Sequence, residues 1–171
     1  MKKSLLCVLV MFVAACAFSR DSTPLQISLW PPNAQVAPEE INVTGLKINL
    51  PFGGNNQIYG VDLGIASTCE ECSALQVNLL INRAHTSFSG IQAGLINQAG
   101  SSSGIVLGGL NIADDKFRGV EVGIINSSME AHGLQIGLVN YTEFMTGLQI
   151  GLINIITQSH VPVFPFINFC F

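Results

Sequence analysis

The sequence of 171 residues has few charged residues and no run of basic ones. Only 11% of its residues are charged, seven Lys or Arg against eleven Asp or Glu, and the formal net charge is −4. Average globular chains contain roughly 25% charged residues. Nucleic-acid-binding surfaces require clustered Lys and Arg, so nucleic acid is not expected as a partner. The apolar content of 49% also excludes an intrinsically disordered chain.

Motifs for catalysis are missing as well. The sequence contains no Walker A or H-E-x-x-H pattern. No nucleophile, base and orienting residue stand in an arrangement that predicts an active site. We therefore expect a protein that is not an enzyme and that has no cofactor and no metal site.

The N-terminus has the pattern of an export signal. Lys2 and Lys3 precede an apolar run at residues 5–13, which is too short to span a bilayer well. The run ends in VAAC, which resembles a bacterial lipobox with Cys16 as the acylated residue, so residues 1–15 are a predicted signal peptide. Ordinary cleavage after Ala17 is the alternative, because residues 15–17 are small enough for signal peptidase. Because Ala17 rather than Asp follows the cysteine, the pattern resembles lipoproteins of the outer membrane.

An internal repeat occupies the rest of the chain. GLQIGLVN at residues 133–140 recurs as GLQIGLIN at residues 147–154. Residues 16–23 are a predicted tether, and residues 24–171 a single β-repeat domain of about ten units. Short-period self-similarity is the signature of a repeat architecture. The units begin at Pro24, Gly45, Gly60, Ala74, Gly90, Gly104, Gly119, Gly133, Gly147 and Val161.

Each unit alternates between apolar and polar or small residues. With the first residue as position 1, positions 2, 4 and 6 are apolar, position 3 is mostly polar and position 5 is usually Gly. Strict period two predicts a strand with one buried face, which we expect to be the face of positions 2, 4 and 6. The Gly at position 1 predicts a corner with positive φ. Asn at position 8, as in Asn126, Asn140 and Asn168, predicts a column of side-chain amides that bond from unit to unit.

Two all-β architectures fit this period. In a β-solenoid-like stack of 14–16-residue units, neighbours run parallel and the Asn residues meet. In a small antiparallel β-barrel of the outer membrane, with a possible role as a pore, neighbours alternate in direction. The Asn column and the short alternating segments favour the stack, whereas the even number of units and the terminal Phe171 favour the barrel.

The polar positions predict a candidate binding face. If positions 3 and 5 face solvent, Gln92, Gln135 and Gln149 form a flat outer column beside exposed glycines. Glycine weakens an exposed strand unless something approaches closely, so the face predicts a partner: another protein, a glycan or a second copy of the chain. The alternative is that these glycines only ease the stacking of the coils.

Cys69 and Cys72 form the sharpest local motif, CEEC. In an exported protein we expect a local disulfide between them. Free thiols, a redox pair and half of a metal site are the alternatives.

Several segments together resemble a known kind of protein. The units GLQIGLVN and GLQIGLIN, the opening PLQISLWPP, residues 43–64 and the ending FPFINFCF resemble the uncharacterised bacterial surface-repeat proteins, many of which carry lipoprotein signals. The resemblance implies export to the outer membrane or cell surface, and it implies no activity and no catalytic residues. We therefore expect a lipid-anchored surface protein with a structural or binding role, attached to the membrane through its anchor.

The lipobox pattern gives the first testable prediction. The mature chain should begin at an acylated Cys16, because the apolar run ends directly before it. Mass spectrometry of the mature N-terminus measures this. An unmodified chain that begins at Phe18 would contradict the lipid anchor.

Overall fold

The computed structural model describes residues 22–30 and 34–171. The predicted signal peptide, Cys16 and most of the predicted tether lie outside the described residues. The described chain is all β, and its six strands form one sheet in the order β2-β1-β3-β4-β5-β6. None of its segments is a helix long and apolar enough to cross a membrane. The strands are β1 (Ser22–Trp30), β2 (Ala34–Gln35), β3 (Asn42–Val122), β4 (Ile125–Ile136), β5 (Val139–Ile156) and β6 (Val163–Cys170).

The 81 residues of β3 are an extended chain that winds back on itself. Asn97 and Asn111 are 14 residues apart, a span of roughly 46 Å in a straight strand, yet their side-chain amides form a hydrogen bond of 2.8 Å. From β3 through β4 to β5 the register is parallel and offset by one unit, as in the pair Asn126↔Asn140. The structure therefore confirms the solenoid-like stack, and the antiparallel alternative is wrong for these units.

Antiparallel strands close both ends of the stack. β2 pairs antiparallel with β1, and β6 pairs antiparallel with β5. Because β6 reverses direction, Asn168 lies opposite Gln149 and does not continue the column of Asn side chains. The prediction that Asn168 belongs to that column is wrong.

Glycine at position 1 makes the corner of most coils, and Ala74 takes its place in one. Six of these glycines have φ between +122° and +144°, as predicted. A Cβ atom at Gly133 would overlap the carbonyl oxygen of Gly119 in the preceding coil. Positive φ and close stacking therefore both require glycine here. The six are Gly60, Gly90, Gly104, Gly119, Gly133 and Gly147.

The interior is the reverse of the predicted one. Gln135 and Gln149 at position 3 are 0% exposed, and Gln92 is 1% exposed, whereas Leu138 at position 6 is 51% exposed. The alternation is correct, but positions 3 and 5 face inward and positions 2, 4 and 6 face outward. The predicted outer face of Gln92, Gln135 and Gln149 does not exist, because their amides are buried in hydrogen bonds between coils.

One further column fills the apolar half of the interior. It lies two residues before each corner glycine, and its members alternate in size along the stack. Phe88 and Phe117 are separated by Ser102, and Ala131 separates Phe117 from Met145. Large side chains stacked on small ones fill the space between coils without collisions.

Candidate functional site: the apolar outer face

The outward side chains of positions 2, 4, 6 and 7 form one continuous surface, which we call the apolar face. It covers eight successive units, those that begin at Gly45 to Gly147, all within the described residues. Apart from Pro51 and Gly109, its members are Leu, Ile, Val and Ala, and none is charged or hydrogen-bonding. The most exposed of them include Leu79, Leu95, Ile124, Leu138 and Leu152, each more than half exposed.

Exposed charges lie on the remaining side of the coil, from position 9 to the end of each unit, which we call the polar side. Lys116 and Arg118 are exposed there, and so are Asp114 and Asp115. The charged residues within positions 2–7 of the eight units are Lys47, Asp62 and Glu121, and all three side chains point inward. The coil therefore separates its outer surface into an apolar and a charged part.

A ladder of buried amides positions the apolar face from behind. Asn111 Nδ2 donates to Asn126 Oδ1 at 2.8 Å, and Asn126 Nδ2 donates to Asn140 Oδ1 at the same distance. Each Asn also donates to a position-4 backbone carbonyl of the next coil, as Asn126 does to Ile136 O at 3.0 Å. The amides thus fix the strand whose outward side chains make the face, from Asn82 through Asn154.

The glycines at position 5 leave room for this ladder. A Cβ atom at Gly137 would lie 2.8 Å from Asn126 Nδ2 and 3.0 Å from Asn140 Oδ1. Gly123 is equally close to the amides of Asn111 and Asn126. The geometry supports the alternative stated above for these residues, since they face inward and ease the stacking of the coils.

Two buried charges replace glutamine in the first units. Lys47 Nζ donates to Ser67 Oγ at 3.1 Å and to Gly53 O at 3.3 Å. Burial lowers the pKa of Lys47, while the nearby Asp62 carboxylate opposes that shift. Asp62 accepts hydrogen bonds from Asn49 and Gln76. These hydrogen bonds compensate the cost of burying the charges of Lys47 and Asp62.

Glu121 is the buried carboxyl with the least compensation. It accepts one hydrogen bond, from Gln135 Nε2 at 2.8 Å, and Val106 occupies the same position in the preceding unit. Burial raises the pKa of Glu121 to about 8, although the hydrogen bond from Gln135 opposes the shift. The side chain is therefore largely protonated in the folded protein at neutral pH.

The structure shows Cys69 and Cys72 as free, buried thiols and does not contain the disulfide predicted between them. Cys69 Sγ donates to Arg83 O at 3.6 Å. A hydrogen bond with Cys69, together with burial, raises the pKa of the Cys72 thiol. A raised pKa makes the Cys72 thiol a poor nucleophile and a poor metal ligand. Both cysteines pack in the apolar core beside Ile58 and Phe88.

The polar side contains a shallow cleft of about 350 Å³ between Ser87 and His132. Beside it, Glu130 Oε2 pairs with Lys116 Nζ at 3.0 Å, and Glu130 Oε1 lies 2.7 Å from His132 Nε2. Hydrogen bonds from His132 and Lys116 lower the pKa of Glu130. Across the described ranges, no three His, Cys, Asp or Glu side chains are gathered to hold a metal ion.

Comparison with known proteins gives no match to a family model, to a curated protein or to a solved structure. The candidate site therefore depends on geometry alone. The sequence pattern identified the apolar residues at positions 2, 4 and 6 but not the face that they form. The prediction placed their side of the strand in the core, whereas it points outward.

Glu121 predicts a pH-dependent stability. Its pKa is raised from 4.5 to about 8 by folding, so its contribution is fully present below pH 4.5 and is lost as the pH rises towards 8. The free energy of unfolding should fall in this window, with a limiting slope of about 1.4 kcal/mol per pH unit. Urea unfolding between pH 4.5 and 9 measures it.

The Glu121→Gln variant is the control for that titration. Glutamine occupies the equivalent position in Gln135 and Gln149 and does not ionise. The difference in unfolding free energy between the two proteins should change with pH only in the stated window. A constant difference from pH 4.5 to 9 would show that Glu121 keeps an ordinary pKa.

Proposed function

We propose that the protein is an exported, lipid-anchored surface protein with a structural or binding role, and that it acts through the apolar face without catalysing a reaction. The observation that carries this proposal is the continuous apolar surface of eight coils, from which every charged side chain is excluded. Contiguous apolar surface of this kind marks a place where another molecule binds.

The size of the face supports a binding role. Eight strands at a spacing of about 4.8 Å, each with six residues at about 3.3 Å, cover roughly 750 Å². The largest apolar patch on a typical monomer is roughly 300–600 Å². A surface of this size that stayed in water would be a considerable liability, so we conclude that it is covered in the cell.

The rigidity of the support also favours recognition over chemistry. The outward side chains are attached to strands that are hydrogen-bonded on both sides and backed by buried amides. Such a face is preorganised, which reduces the entropy lost on binding. The proposed location, at the outer membrane or cell surface with a lipid on Cys16, follows from the signal and lipobox patterns of the sequence.

Site-specific photo-crosslinking in the producing cell tests the proposal. A photoreactive phenylalanine analogue in place of Leu138 lies on the apolar face, and the same analogue in place of Ser103 lies on the exposed polar side. We expect a covalent adduct from position 138 and little or none from position 103. No adduct at position 138, in a folded and exported chain, would exclude the apolar face as a binding surface.

A further inference from the structure

We infer that the apolar face is covered by a second copy of this chain, which packs against it face to face in a two-fold dimer. This inference depends on the proposed role of the apolar face and identifies its occupant. The area of the face, its relief, its lack of charge and the closed ends of the stack all favour a second copy as the occupant.

The area fits a dimer. Stable protein interfaces bury about 800 Å² on each partner, and the apolar face offers roughly 750 Å². An obligate dimer interface resembles a domain core cut in half, and this face has that composition throughout. Two such sheets would stack at the usual distance of about 10 Å.

The relief of the face is complementary to itself. Leu138 and Leu152 at position 6 are 51% and 58% exposed, whereas Val122 and Ile150 at position 4 are 37% exposed. Position 6 is therefore a ridge along most of the stack, interrupted at Ile65 and Gly109, with a lower column beside it. A two-fold axis parallel to the stack sets the ridge of each copy against the lower columns of the other. The coil spacing is the same in both copies, so this match repeats along the face outside the coils of Ile65 and Gly109.

A second copy also brings no charge into the interface. The outward residues of the face include no ionisable group, so two faces meet without burying an unpaired charge. The exposed charges of both copies remain in water on the polar sides, which run from position 9 to the end of each unit.

An anionic lipid surface fits the face less well. The net charge is −4, and the exposed basic residues Arg83, Lys116 and Arg118 stand on the polar side. Segments that bind membrane surfaces usually have Lys and Arg around their apolar side. The apolar face lacks such a border.

The ends of the stack direct association to the side. β2 and β6 close the two ends in antiparallel pairing, and β6 contains Pro165, which cannot donate a backbone hydrogen bond to a further strand. Growth by end-to-end addition of parallel coils is therefore disfavoured, which favours association through a side of the stack.

Sedimentation equilibrium of the full mature chain tests this inference. The chain is prepared with Cys16→Ser, so that no acyl group drives association. We expect a dimer. The double variant Leu138→Lys, Leu152→Lys places two ammonium groups on the ridge and should raise the dissociation constant by about 100-fold or more, because an unpaired charge is costly to bury.

The double variant Ser103→Lys, Thr146→Lys is the matched control, since it adds the same charge on the exposed polar side. It should remain dimeric. Circular dichroism and urea unfolding check that each variant keeps its strands. If the leucine-to-lysine variant fails to fold, Leu138→Ala with Leu152→Ala should still weaken the dimer by about 10-fold, because large apolar contacts are removed.

The outcomes separate the inference from the proposed function. A monomeric parent chain, or equal dimerisation of all variants, overturns the inference. If the monomer then floats with phosphatidylcholine vesicles, or if the cellular adduct at position 138 is a different protein, the face binds but its occupant is not a second copy. A monomer with no adduct at position 138 overturns both.

Discussion

The buried amide ladder is the interaction on which the rest of the structure depends. From Asn97 to Asn140, each Asn in the column accepts a hydrogen bond from the Asn of the preceding coil and donates one to the Asn of the next. The N···O distances are 2.8 Å from Asn82 to Asn154. A primary amide can be satisfied in this way only if its neighbours are parallel, in register and about 4.8 Å away. Removing one member would leave a buried donor and a buried acceptor unpaired, at a cost of roughly 1–3 kcal/mol for each group.

The ladder explains the other features of the coil. Position 5 must be small because a side chain there would occupy the space of the amides, as at Gly137. The corner must be tight because the coils stack closely, as Gly119 and Gly133 do. Once Gln, Gly and Asn occupy the inside, the alternating strand forces its Leu and Ile residues outward. The apolar face is therefore a consequence of the polar interior, and the apolar column of Phe88 and Phe117 is what remains of an ordinary core.

The sequence predicted the repeat, the parallel stack, the positive-φ glycines and the hydrogen-bonded Asn column, because each depends on residue type and spacing. It did not predict which face is buried, since an alternating pattern is the same whichever side is inside. We assigned the apolar positions to the core by the general preference of such residues. The sequence contained a clue. Every second residue from Met145, which lies two places before the corner, through Gln149 to Gly151 falls on one face of the strand without a change of phase. Instead, we placed a phase change at the corner glycine.

Other errors have related causes. The disulfide was predicted from the spacing of Cys69 and Cys72 and from the expected compartment, whereas the structure places both thiols inside the coil, unbonded. Asn168 was assigned to the Asn column by counting units, but the chain reverses before β6. The candidate site was missed for the same reason as the buried face. Aliphatic side chains form a binding surface only when they point outward, and the prediction placed them inside.

Proton exchange of the side-chain amides, measured by NMR on the folded protein, tests the central claim most directly. If Asn and Gln form the interior, the NH₂ groups of Asn111, Asn126, Asn140, Gln135 and Gln149 should exchange with water much more slowly than that of the exposed Gln158. This expectation holds whether or not another molecule covers the apolar face. Exchange of all these amides at the rate of Gln158 would contradict the polar interior, and with it the apolar face.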